Sequence, residues 1–448
     1  MKTLNEPAIF SYFYYKGDWY YNLIDICKET AILNIESGKH FFDYAVQTLR
    51  DAKYSSKLIY FKVIFLFLCS LAVFMGTVVF LPFLLVTFVA IVLFVWVIYN
   101  MIAIEMNLTE NLFLKFHGLF ILCKSCNHKI PLPIYKCPGC GAEHQHLMPS
   151  TRYGAFYRIC SQCGEFIPTS RFFGRNDLPA LCRNCHQPLE QEDVVPYTIA
   201  IVGGSSVGKS SIQMDITYIL LHDILPGLNW NYTLMGEDKD RASSLINDYY
   251  LKGIPPRSTP DQQVKALCID VKAQKWAYPK RLFLFDPPGE SFQNTKKLSS
   301  HNYYKYLRSI IFVIDPFSID SVLHEFPELP DSVTASTKSP EDWLDSWFIS
   351  MNTDHGGVDK KTICAVLINK TDVPGFTETT GLKTGATHEE CDAFFDKYSC
   401  QNLKGLFEEH FEKYRFFAVS AFGANRPDHS FSPEGISEVI NWLLENQD

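Results

Sequence analysis

Gly203-Gly204-Ser205-Ser206-Val207-Gly208-Lys209-Ser210 stands between an apolar, strand-like run at residues 197–202 and a helix-like run at residues 211–221. The glycines let a loop aim its backbone N–H groups inward, Lys209 brings a point charge, and the Ser210 hydroxyl is a ligand type suited to Mg²⁺. Such a loop cradles the β- and γ-phosphates of a nucleoside triphosphate. A chance glycine-rich turn would need neither a strand before it nor a helix after it. Gly203, Ser205, Ser206, Val207, Gly208, Lys209, Ser210 and Ser211 are therefore the candidate phosphate-binding residues, with Lys209 also a candidate catalytic group.

Downstream, residues 281–285 read as a buried strand ending in Asp286-Pro287-Pro288-Gly289. In a D-x-x-G element the carboxylate holds Mg²⁺ through water and the glycine N–H senses the γ-phosphate, which makes Asp286 and Gly289 binding candidates. Residues 264–271 alternate like the partner strand of a hairpin. Just upstream, Arg257-Ser258-Thr259 lies where a hydroxyl can close over the metal, so Thr259 is assigned to Mg²⁺ and to catalysis by position, with Ser258 as its neighbouring rival.

A further strand at residues 365–368 runs directly into Asn369-Lys370-Thr371-Asp372. A carboxylate at Asp372 accepts two hydrogen bonds from guanine N1–H and its 2-amino group, a donor pair that adenine lacks. Asn369 can support guanine N7 and the loop, and the Lys370 stem can cover the base plane. The last strand, residues 416–419, ends in Ser420-Ala421, whose backbone N–H groups can meet guanine O6. An amphipathic helix at 436–445 closes the domain with Ile436, Val439, Ile440 and Leu443.

These elements, in this order, resemble the TRAFAC-class, Ras-like P-loop GTPases over residues 197–448. The wider arrangement looks like the double-GTPase-type domains of bacterial conflict (immunity) systems. The resemblance implies an α/β domain with a mostly parallel six-stranded sheet, helices on both faces, Mg²⁺-GTP at the strand ends and switch loops ordered by the γ-phosphate. Carried over by motif, Lys209 and Ser210 serve phosphate and metal, Thr259 and Asp286 serve the switches, and Asn369 with Asp372 reads guanine. One position departs: Ras-like enzymes commonly place a water-orienting Gln just after D-x-x-G, whereas Glu290 stands there and Gln293 comes three residues later. With Glu290 as the candidate at that catalytic position and no arginine finger in view, slow intrinsic turnover is implied. Residues 315–360, with Trp343 and Trp347, exceed a minimal domain and offer either a partner surface or extra core.

Upstream of the nucleotide motifs, residues 63–104 contain no charged side chain. As one helix these 42 residues would be about 63 Å long, twice the roughly 30 Å hydrocarbon core of a bilayer. Gly76 and Pro82 near the middle predict a transmembrane hairpin, roughly residues 60–79 and 83–104, with a tilted single span and a re-entrant half as the alternative. Lys53, Lys57 and Lys62 before it, and Lys115 and Lys124 after it, predict that both ends face the cytoplasm. Residues 1–57 are aromatic-rich, with an amphipathic helix at about 40–53.

Between the hairpin and the nucleotide motifs lie four C-x-x-C pairs. Cys123/Cys126 with Cys137/Cys140, and Cys160/Cys163 with Cys182/Cys185, predict two closed tetrahedral Zn²⁺ sites of structural type. A cross-braced grouping, first pair with third and second with fourth, uses the same residues. Gly141 and Gly164 suit the knuckle turns; His128, His144, His146 and His186 are available but not required.

The expected organisation is an N-terminal segment (1–57), the hairpin (58–104), a juxtamembrane linker (105–121), two zinc ribbons (122–188), a linker (189–196) and the GTPase domain (197–448). Expected ligands are GTP or GDP, Mg²⁺ and two structural Zn²⁺. Membrane lipids and a protein effector or activator are the expected partners, and the net charge of −8 gives no general reason to expect nucleic acid. The reading is a multi-pass cell-membrane protein acting as a slow GTP-dependent switch, with a non-hydrolysing scaffold built on the ribbons as the alternative.

Overall fold

The computed structural model describes residues 18–51, 57–150, 154–190, 193–234, 237–252, 266–287, 302–326, 328–330, 333–422 and 431–446. The chain divides into two compact units, residues 1–113 with 132–180 and residues 114–131 with 181–448. The cysteine-rich stretch is thus shared between them.

The first unit starts with helix α1 (Asp18–Asp51) and helix α2 (Lys57–Phe116), the latter 60 residues long. The helix expected at 40–53 is the end of the longer α1. Gly38 does not interrupt α1; it is where the two helices approach closely, its carbonyl accepting a 2.8 Å hydrogen bond from Ser70 Oγ. Phe42 and Phe67 pack at 5.2 Å between ring centroids, and Ala45, Val63 and Leu66 are buried together.

The hairpin expected around Gly76 and Pro82 is not formed, since α2 is helical throughout. Proline removes one N–H from the ladder, whereas a turn at that place would strip several backbone groups of partners in apolar surroundings. Two stretches, Lys57–Val79 and Leu85–Phe116, are long and apolar enough to cross a membrane.

Beyond α2, the first unit carries two short antiparallel pairs, Ile134–Lys136 with Glu143–His144 and Tyr157–Ile159 with Phe166–Pro168. Buried Glu110 of α2 accepts from the Arg175 guanidinium and from Ser170 Oγ (2.9 Å), while Arg175 also donates to the carbonyls of Thr169 (2.8 Å) and Leu147 (3.0 Å). A buried charge pair satisfied on both sides in this way holds the end of α2 against the ribbon.

The second unit is built on one sheet of strands β1 (Val195–Gly203), β2 (Asn231–Thr233), β3 (Leu267–Lys272), β4 (Lys280–Phe285), β5 (Leu307–Ile314), β6 (Ile363–Ile368) and β7 (Tyr414–Ala418). Their spatial order is β2-β3-β4-β1-β5-β6-β7. From β4 to β7 the neighbours are parallel; β3 runs antiparallel to β2 and β4. The sheet therefore has seven strands and is mixed, in place of the expected six. The additional β2 is three residues, all exposed, so no alternation marks it in the sequence.

Alternate residues of the near-continuous apolar strands feed two cores, as expected for strands covered on both faces. Phe283, Phe285, Phe312 and Ile314 face one side; Leu282, Leu284, Ile311 and Val313 face the other. Helix α3 (Lys209–Ile219), continued by a π turn at Leu220–Ile224, helix α4 (Glu237–Ile246) and the C-terminal helix of residues 436–445 cover the second side. Helices α5 (Pro340–His355), α6 (His388–Lys397) and α7 (Gln401–His410) cover the first. Trp343 and Trp347 lie on α5 and are buried, Trp347 edge-on to Phe312 at 5.1 Å, so this insert is core.

Candidate functional site

Parallel strands end along one edge, and each delivers a polar group there. After β1 the chain turns through Ser206 (φ +62°) and Gly208 (φ +95°) into α3. A Cβ at Gly208 would lie 2.5 Å from Asn369 Nδ2, and one at Gly203 would lie 2.7 Å from the Val313 carbonyl. Only glycine permits both the left-handed turn and these approaches.

Lys209 is 7% exposed and donates to the carbonyls of Gly203 (3.0 Å) and Gly204 (2.6 Å), folding its ammonium over the loop. Ser210 Oγ donates to Asp286 Oδ2 at 2.6 Å. The loop hydroxyl and the carboxylate after β4 thus converge beside a lysine, the donor set that a hard, oxygen-seeking Mg²⁺ requires. Gly289, Glu290 and Thr259 lie outside the described residues.

Asn369, 2% exposed, joins three loops: its Nδ2 donates to the Val207 carbonyl (2.9 Å) and its Oδ1 accepts from the Ala421 N–H (3.1 Å). It fixes the loop after β1 against the loop after β7. Lys370 sits at φ +63° and donates to Asp315 Oδ2 (2.6 Å) and the Thr334 carbonyl (2.7 Å), which pins its stem. Ser205 and Asp372 are half-buried, while Val207, Ser211, Ser420 and Ala421 are buried.

Two residues escape the sequence reading. Asp315, fully buried at the end of β5, also accepts from the N–H groups of Phe317 (3.0 Å) and Ser336 (2.9 Å) and organises the loop under Lys370. Its signal was available, because a carboxylate right after a buried parallel strand sits on the ligand edge. Tyr249, buried in the π turn Asn247–Leu251, donates to the Ala421 carbonyl at 3.1 Å. Nothing in the sequence marks it, since its partner is far along the chain.

Burial pushes the Lys209 ammonium down from 10.5 to about 8, the Asp286 carboxylate opposing the shift. The protonated form is the one that attracts an anion, and the free protein carries it below about pH 8 and loses it above. GTP affinity measured by calorimetry between pH 7 and 8.5, below the range in which guanine N1–H itself ionises, should fall as pH rises, and a Lys209→Met protein should lose that slope.

The cysteines form two sets of four whose sulfurs all lie within 4.8 Å of one another: Cys123, Cys126, Cys182 and Cys185, and Cys137, Cys140, Cys160 and Cys163. The grouping is nested, first pair with fourth and second with third, in place of either grouping read from the sequence. Spacing within a C-x-x-C pair specifies its knuckle, not its partner.

Sulfur separations of 3.5–3.6 Å across the pairs exclude disulfides and suit corners of a tetrahedron around Zn²⁺, about 3.8 Å apart for 2.3 Å bonds. After each second cysteine the backbone is left-handed, at Asn127, Gly141, Gly164 and His186. His186 thus serves as a turn residue.

The first set belongs to the nucleotide-binding unit. Leu122, beside Cys123, is part of its core, and Lys124 pairs with Glu190 (2.9 Å), which meets Arg281 (3.4 Å); Arg281 in turn clamps Asp270 at 2.5 and 2.6 Å. Cys182→Ser should therefore lower the melting temperature of the nucleotide-binding unit by roughly 10 °C or more, because losing a structural Zn²⁺ site removes several kcal/mol. Cys160→Ser should leave that transition nearly in place. Calorimetry of the two proteins checks the contrast.

The family model described as Double-GTPase 2 matches residues 197–443, more than half of the chain. No curated protein matches the sequence. Among solved structures, the signal recognition particle receptor SRb-GTP/SRX complex from Chaetomium thermophilum is similar at 14% identity and a TM-score of 0.30, covering 56% of this chain and 97% of that one.

Proposed function

Because the chain belongs to the Double-GTPase 2 family, whose model spans the sheet and its edge, we propose that it is a membrane-anchored, guanine-nucleotide-dependent switch with slow intrinsic turnover. The observation that carries this reading is the meeting of Ser210 Oγ and Asp286 Oδ2 at 2.6 Å beside buried Lys209. When bound there, Mg²⁺ offsets the charge of the β- and γ-phosphates. Lys209 adds a fixed charge at the same phosphates, and Asn369 keeps the phosphate and base loops in register. Asp372 accepts from the guanine edge, whereas the backbone N–H groups of Ser420 and Ala421, expected at O6, are held by the Glu434 carbonyl (3.0 Å) and Asn369 Oδ1 (3.1 Å).

Thr259, Gly289 and Glu290 complete the reading as the groups that change with the γ-phosphate. Glu290 in the place of a water-orienting Gln supports slow hydrolysis and equally motivates the second reading, a GTP-binding scaffold that does not turn over. The resemblance to conflict-system domains adds bacterial defence as the setting.

Anchorage rests on α2. Its Lys57–Val79 stretch is flanked by α1, which carries Glu36, Lys39, His40 and Asp43 along the contact region, and such a helix is costly to place in hydrocarbon. Among the described residues, 85–104 have no such helix against them and are the proposed span.

Binding of GTP, GDP and ATP to the full chain in detergent tests the first part, and phosphate release in the presence and absence of cell extract fractions tests the second. Equal affinity for ATP would reject the guanine assignment. Turnover stimulated by a partner would reject the scaffold.

A further inference from the structure

The ribbon of the first unit carries a cluster of aromatic side chains that the nucleotide site does not use. Phe156, Tyr157 and Phe173 are 38%, 40% and 41% exposed, yet they touch one another: Phe173 lies 5.5 Å from Phe156 and 5.9 Å from Tyr157 between ring centroids. Three neighbouring rings open to water are costly unless something covers them.

Their height along α2 says what does. The Ala155 N–H donates to the Tyr99 hydroxyl at 2.7 Å, and Asn107 Nδ2 donates to the Pro149 carbonyl at 2.9 Å. Tyr99 stands five residues inside the uncharged run, which ends at Ile104 with Glu105 following. At 1.5 Å per residue that is about 7.5 Å, the depth of a headgroup layer. The aromatic cluster begins at the very next residue, Phe156. The Glu110–Arg175 pair and the Ser170 bond clamp the same ribbon to the helix further along, so its height is fixed by contacts at both ends.

The geometry points to Phe156, Tyr157 and Phe173 as a membrane-interface surface, with lipid headgroups and the outer acyl carbons as its partner. Tyr157 suits this zone because its ring is apolar and its hydroxyl polar, and the Phe156 and Phe173 rings beside it offer apolar surface to the outer acyl carbons. The ribbon is then a float that sets the depth of α2 in the bilayer. This inference rests on the proposed span at residues 85–104, and the experiment separates the two.

The full chain is reconstituted in vesicles of phosphatidylcholine and phosphatidylglycerol, with the photo-crosslinking residue p-benzoylphenylalanine placed singly at Val97, Phe156, Tyr157, Phe173 or Gln162. Val97 reports the span, and exposed Gln162 lies at the cysteine end of the same ribbon. Lipid adducts at Val97 and, several-fold above Gln162, at Phe156, Tyr157 or Phe173 are the expected result. Adducts at Val97 but at none of the three aromatic positions would overturn the inference while leaving the anchor. Protein–protein adducts at the aromatic positions would also overturn it, assigning the patch to a second copy. No adduct at Val97 would overturn the anchor and the inference with it.

Discussion

Lys209→Ala is expected to weaken GTP binding by at least about 100-fold, because a water-excluded, charge-assisted contact to phosphate is worth roughly 3 kcal/mol or more. The ammonium is 7% exposed and already held over the loop by the Gly203 and Gly204 carbonyls, so its placement costs little further ordering on binding. The fold should survive, since Ile199, Ile201 and Val202 of β1 are buried independently of the lysine. Titration of a fluorescent GTP analogue, with a melting curve alongside, reads both effects. Unchanged affinity in a folded protein would remove the phosphate assignment.

Asp372→Asn is expected to lower GTP affinity by about 10³-fold or more and to favour xanthosine triphosphate. A site built to receive two N–H donors rejects a mismatched partner strongly, because buried polar groups are left unpaired. An asparagine amide presents its own N–H groups to the 2-amino group of guanine, whereas xanthine carries a carbonyl there. The surrounding loop is held by Asn369 on the Ala421 N–H and by Tyr249 on the Ala421 carbonyl, so the exchange should alter preference without loosening the pocket. Competition between the two triphosphates measures it, and a variant still selective for GTP would place the base elsewhere.

Much of the nucleotide domain is legible in the sequence, for a physical reason. Strands buried on both faces, such as residues 282–285 and 365–368, are continuous apolar runs, and the polar residues at their ends stand out against them. Asn369 announces itself in this way, although its bonds tie two loops together more directly than they address a base. What is not legible depends on partners distant along the chain. The nested cysteine sets, the hold of Tyr249 on Ala421 and the Glu110–Arg175 pair are all of that kind. Pro82 illustrates the opposite error: a strong local signal for a break was outweighed by the need of the apolar residues around it to keep their backbone groups paired within a helix.

The nesting of the two cysteine sets has a mechanical meaning. Cys126 and Cys182 meet at 3.6 Å, so with metal in place residues 127–181 form a loop clipped shut at its base. Tension on the last turn of α2 would run along residues 117–122 to Leu122 in the core and to the clip, and bypass the loop. The backbone of the inner ribbon lies outside that line, and pull reaches it through its side-chain clamp on α2 at Glu110 and Arg175. Stretching single molecules should open the outer set before the backbone of the inner one is extended.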